Sequence, residues 1–127
     1  MNSSNKDRVF AETIKKPQDF VFDEKVAAVF PDMLLRSIPG YPAIIGMIET
    51  LTTQFAQNNS RLYDLGCSLG ASAQAIQKGL RADNCSIIAI DNSVAMIDRC
   101  RQNPQSETAR AKIEYLCEDI VDSEISA

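Results

Sequence analysis

Apolar positions along the chain change their period between its first and second halves. From Asp23 onward Val26, Ala27 and Phe30 recur at helical spacing, and Pro31 is placed to open a second turn carrying Met33, Leu34 and Leu35. "SIPGY" then interrupts the pattern, with Pro39-Gly40 as the turn. From Pro42 to about Gln57 the residues Ile44, Ile45, Ile48, Leu51 and Phe55 fall on one stripe, which predicts an amphipathic helix that packs through it. Residues 1–20 are polar apart from Phe10 and Ile14 and predict irregular chain.

After "QNNS" the apolar runs shorten. Arg61 to Leu65 predicts a strand, residues 71–80 a helix, and "SIIAID" at 86–91 a strand apolar enough to be buried on both faces. Asn92 and Ser93 suit the N-cap of a helix over 94–102, and "KIEYLCEDI" at 112–120 predicts a third strand. Strand, helix, strand, helix, strand with short links is an α/β pattern, the first half of a doubly wound parallel sheet. Two parts are expected: an N-terminal arm and helices over 1–57 that cover a site, and the sheet with its helices over 58–127.

Composition narrows the chemistry. With 127 residues, 45% of them hydrophobic, the chain can bury one core. No run approaches the ~18 apolar residues of a bilayer span, and the first twenty lack a secretory apolar stretch, so the expected location is the cytoplasm, with no membrane partner. There is no histidine, which removes Ser-His-Asp and Cys-His triads and the HExxH metal site. The four cysteines form no CxxC pair, so neither a metal site nor a disulfide framework is expected. A net charge of −4 with scattered basic residues argues against direct nucleic-acid binding. Carboxylates, backbone amides, Tyr, Arg, Lys or a bound cofactor must carry the chemistry.

Open parallel sheets bind ligands beyond the carboxyl ends of their strands, and three features meet there. "DLGCSLG" follows the first strand: Gly66 permits close backbone approach, Gly70 a tight entry into the next helix, and that helix offers free amides. Asp91 ends the second strand, where a carboxylate can accept both hydroxyls of a ribose. Asp119 and the amide of Ile120 follow the third, suited to an adenine edge. No Gly-Lys-Ser/Thr and no GxGxxG is present. Asp64, two residues before Gly66, points instead to S-adenosylmethionine, whose ammonium needs an acceptor. Taken singly, the glycines read as turn residues, Asp91 as a helix cap, Asp119 as a solvated strand end and Cys67 as a small loop filler. Their coincidence at one end of one sheet favours an adenosyl pocket.

The stretches "FDEKVAAVFPDMLLRSIPGY", "YDLGCSLGASAQAI" and "IIAIDNSVAMIDRCR" resemble the carboxy-S-adenosylmethionine synthase family, relatives of class I methyltransferases. The resemblance runs from about Val21 to Ile120. It implies a Rossmann-like class I methyltransferase fold and a homodimer that takes S-adenosylmethionine and prephenate. The reaction would give carboxy-S-adenosylmethionine and phenylpyruvate, for a separate enzyme that modifies tRNA wobble uridine. It also implies that Tyr41 closes over the cofactor, that Gly66, Cys67 and Ser68 cradle its methionine end, that Asp91 and Asn92 hold the ribose, and that Asp119 and Ile120 hold the adenine. The family's chains continue beyond "VDSEISA", so a fourth strand and the carboxylate-binding arginine segment have no counterpart here. An ordinary methyltransferase, and a non-catalytic fragment that pairs with a partner chain, are the alternative readings.

Overall fold

A computed structural model describes residues 23–126; the expectations for residues 1–20 and for the arm over 1–22 lie outside them. The first helix, α1, is Glu24–Ser37. Its N-cap is Asp23, whose carboxylate accepts from the Val26 amide at 3.0 Å. Pro31 does not start a second turn but lies inside this one helix. It removes one backbone donor, yet Asp32, Met33 and Leu34 carry the helix on, two of them strong helix formers.

Helix α2, Tyr41–Phe55, begins after Gly40, which takes φ 76° as its N-cap, and has Pro42 in its first turn. Its packing differs from the expected stripe. Ile44, Met47, Leu51 and Phe55 are exposed, Met47 by 61% and Phe55 by 69%. Of the stripe, Ile48 packs against the core, and the helix packs further through the Glu49 to Thr53 side, where Thr52 is buried and the Thr53 hydroxyl donates to the Gly79 carbonyl at 2.7 Å. A Cβ on Gly79 would lie 2.2 Å from the Glu49 carbonyl oxygen. The missing side chain at Gly79 thus lets two helix backbones meet, and that contact helps to set the orientation of α2.

The sheet has three parallel strands in the order β1 (Arg61–Leu65), β2 (Ser86–Asp91), β3 (Ile113–Cys117). Leu65 pairs with Ile90 and Asp91 with Cys117, so the ends of the strands line up. Helix α3 (Ala71–Gly79) follows β1, and α4 (Val94–Gln102) follows β2. Ser93 is the N-cap of α4, its hydroxyl accepting from the Met96 amide at 3.2 Å. β3 is shorter than expected because the chain turns after Cys117 into a 3-10 turn, Ile120–Asp122, which Asp119 caps.

Ile87 and Ala89 of β2 join Ala73, Ile76, Leu80, Ile97, Cys100, Ile113 and Tyr115 in the core between sheet and helices. Ile88 and Ile90 are buried on the opposite face, as alternation along a strand requires. The tail reaches back across that side, where the Ser126 amide donates to the Tyr63 hydroxyl at 3.2 Å. An exposed Arg99–Glu24 ion pair ties α4 to α1. Among the described residues no strand pairs with the outer edge of β1, and no helix is long and apolar enough to cross a membrane.

Candidate adenosyl-ligand site

Residues 66–70 link β1 to α3 through three positive backbone angles: φ 80° at Gly66, 50° at Ser68 and 87° at Gly70. Long-range bonds hold this shape. The Gly66 and Cys67 amides both donate to the Ile90 carbonyl, at 2.8 and 2.9 Å. The Ser68 amide donates to Asp91 Oδ2 at 2.9 Å, and the Ser93 amide to Asp91 Oδ1 at 3.0 Å. Asp91 therefore clasps the loop after β1 to the start of α4, a role its position in the sequence did not disclose. A carboxylate oxygen accepts more than one hydrogen bond, so both oxygens keep capacity for a ligand.

Gly66 faces open space, with nothing within 4 Å of a Cβ built on it. Gly70 is closed in: a Cβ there would lie 3.0 Å from the Tyr115 hydroxyl and 3.3 Å from the Cys100 sulfur. The two glycines thus serve different ends, access at Gly66 and packing at Gly70.

Asp64 lies on β1 just before the loop. Its Oδ2 is buried without a hydrogen-bond partner, while the carboxylate accepts from the Ala73 amide. Burial, then the negative charge of Asp91, raise its pKa above the usual 3.8; the Ala73 amide offsets part of this. Burial and the Asp64 charge likewise raise the Tyr41 hydroxyl above its usual value. A cavity of about 380 Å³ adjoins the loop, lined by Tyr41, Gly66, Cys67 and Ser68 together with Phe30, Pro31 and Leu34 of α1.

Four of the nine expected residues, Tyr41, Gly66, Cys67 and Ser68, thus line one cavity; Asp64, just before the loop, is not among the lining residues, and Asp91 holds the loop through the Ser68 amide. Asn92 is exposed next to Asp91. Asp119 and Ile120 do not line the cavity; both are exposed beyond β3, and the Asp119 carboxylate accepts from the Val121 amide at 2.9 Å. The sequence reading missed Phe30 and Leu34 as site residues. Their spacing of four was visible, but it reads equally as core packing.

Residues 62–127, just over half of the chain, match the family model of a methyltransferase domain. The chain belongs to the methyltransferase-domain family. Within it, the chain is 49% identical over 125 residues to the carboxy-S-adenosyl-L-methionine synthase of Stutzerimonas stutzeri (strain A1501), covering 98% of this chain and 50% of that one. The synthase of the same name from Yersinia pestis (strain Pestoides F) is 49% identical over 117 residues, covering 92% and 44%. The chain therefore spans about half the length of the curated relatives it matches. A solved plantazolicin methyltransferase, BpumL in complex with SAH, superposes with a TM-score of 0.54 at 20% identity, covering 78% of this chain and 36% of that one. At that identity the likeness shows the fold: a Rossmann-like methyltransferase sheet, here with three parallel strands.

Proposed function

We propose that this methyltransferase-domain chain supplies the adenosyl half-site of a carboxy-S-adenosyl-L-methionine synthase. The observation that carries the ligand is the orphaned Asp64 oxygen, buried two residues before the cavity-lining Gly66. A ligand ammonium would pair that oxygen and offset the charge of Asp91 together. The open space at Gly66 fits the same group, since any side chain there would occupy ligand volume. The close relation to synthases of that name supports the choice of reaction.

In this reading residues 23–57 cover the site and residues 58–126 form its floor. Tyr41 closes the cavity from α2, with Phe30 and Leu34 excluding water from α1. Asp64 accepts the ammonium, and Gly66, Cys67 and Ser68 cradle the amino-acid end. Asp91 and Asn92 hold the ribose, and Asp119 with the Ile120 amide reads the adenine. Bound there, S-adenosylmethionine supplies a methyl group acidified by its sulfonium, which receives the carboxyl group of prephenate, with phenylpyruvate and water as the other products. The chain's residues position the partners and keep the site dry. The product would serve tRNA wobble-uridine modification by a separate enzyme in the cytoplasm. A second copy of the chain would be its partner, with no direct contact to nucleic acid and no resident metal.

The test is incubation of the purified protein with S-adenosylmethionine and prephenate, followed by mass spectrometry. The expected product is S-adenosylmethionine heavier by one carboxyl group, bound or released. Binding of S-adenosylmethionine without that product would leave the ligand site and move the reaction to the remainder of a full-length synthase. Methyl transfer to an added acceptor would favour an ordinary methyltransferase. A folded protein with no affinity for S-adenosylmethionine would contradict the proposal.

A further inference from the structure

We infer that Cys67 and Cys100 form an oxidation site beneath the loop after β1, closing to a disulfide that unseats Ser68. The two thiols come from different elements and meet at one acceptor: Cys67 Sγ lies 3.8 Å from the Ser68 carbonyl oxygen and Cys100 Sγ 3.2 Å from it. The two thiols therefore converge on one point of the loop. Both side chains are buried, and both thiols are free. Cys67 lines the cavity, so a small oxidant reaches it first, with Cys100 behind it. Cys85 and Cys117 stand apart: Cys85 donates to the Gln57 carbonyl, and Cys117 is exposed at the end of β3.

Hydrogen peroxide is an oxidant of suitable size. The Cys67 sulfur takes one peroxide oxygen, the O–O bond breaks and water leaves, giving a sulfenic acid at Cys67. The Cys100 sulfur then forms the S–S bond and displaces that oxygen as a second water. Two electrons and two protons pass from the thiols to the peroxide. Interaction with the neighbouring Cys67 lowers the Cys100 thiol from its ordinary range, which suits Cys100 to the second step. Interaction with Cys100, then burial, push Cys67 up, so the first step is the slow one.

The consequence for the loop follows from the protons. Both S–H donors disappear on oxidation, so the Ser68 carbonyl loses both sulfur partners. Ser68 holds a φ of 50° without being glycine, a conformation that persists only while its surroundings enforce it. Release of Ser68 weakens adenosyl-ligand binding, a consequence that rests on the function proposed above.

The experiment treats the reduced 127-residue protein with hydrogen peroxide, alkylates the remaining thiols and maps the peptides by tandem mass spectrometry. The expected map has one peptide pair joined through Cys67 and Cys100, alkylated Cys85 and Cys117, and full reversal by dithiothreitol. Cys67→Ser should abolish the cross-link and leave Cys100 open to alkylation after unfolding. A map in which both remain alkylatable, or in which oxidation stops at Cys117, would overturn the site. Affinity for S-adenosylmethionine should fall at least tenfold in the cross-linked protein and return on reduction; equal affinity would overturn the loop effect. If the reduced protein itself ignores S-adenosylmethionine, the ligand reading fails, and the peptide map still decides the oxidation site.

Discussion

The loop after β1 and the turn after β3 leave the same end of the same sheet, yet they are built differently. In residues 66–70 four amides are engaged, three of them by the end of β2, through the Ile90 carbonyl and the Asp91 carboxylate. Cys67 and Gly70 are buried. Residues 119–122 hold themselves: the Val121 and Asp122 amides both bond to Asp119, and Val121 is 89% exposed. Preorganisation lies in the loop after β1. The amino-acid end of the proposed ligand meets a shape fixed by long-range bonds, whereas the adenine end meets a local turn whose order costs little to lose.

Substitutions separate the two regions. Gly66→Val should have the largest effect, weakening S-adenosylmethionine binding by about 100-fold or more, because it fills open ligand space at a φ that L-residues avoid. The strain alone should cost about 1–2 kcal/mol of stability. Calorimetric titration and a urea melt check the two numbers. Normal binding by that variant would remove the loop from the site.

Asp91→Ala comes next, and its signature is double. It leaves the Ser68 and Ser93 amides without this acceptor and removes the proposed ribose acceptor, so stability should fall by roughly 2–3 kcal/mol and affinity by a comparable free energy. Loss of affinity at unchanged stability would mean that the clasp on the loop contributes little. Asp119→Ala should be the mildest: about 0.5–1 kcal/mol from a lost cap, with hydrogen exchange of residues 66–70 unchanged. If exchange in the loop rose as much as in the turn, the two regions would not be independent.

What the sequence disclosed follows the range of the forces involved. The strands, the helix over 94–102 and the glycine loop rest on local pattern: an apolar run in β2, Ser93 ahead of α4, and Asp64 two residues before Gly66. The orientation of α2 was only partly legible, because a backbone contact between Glu49 and Gly79 helps to set it: Ile48 of the apolar stripe packs against the core, while Ile44, Leu51 and Phe55 are exposed. The early end of β3 turned on whether Asp119 continues a strand or caps a turn, and its local capping bonds decided it. At Asp91 the bond to its near neighbour Ser93 matches the cap reading, but the bond to Ser68 spans 23 residues and is invisible to any local pattern.

In the proposed site Asp64 is held in readiness for a cation, and Asp64→Asn tests this through stability and affinity together. Burial raises the folded-state pKa of Asp64 above 3.8, so the ligand-free fold binds this proton more tightly than the unfolded chain does. Its contribution is therefore lost as pH rises from the unfolded value through the raised folded one, and above that range the half-paired carboxylate destabilises the protein. The measurement is a pair of urea melts and S-adenosylmethionine titrations at pH 7 on the parent protein and on Asp64→Asn. Asp64→Asn should be more stable by on the order of 1 kcal/mol and bind S-adenosylmethionine at least tenfold more weakly. A variant that is less stable, or that binds equally well, would contradict this role of Asp64.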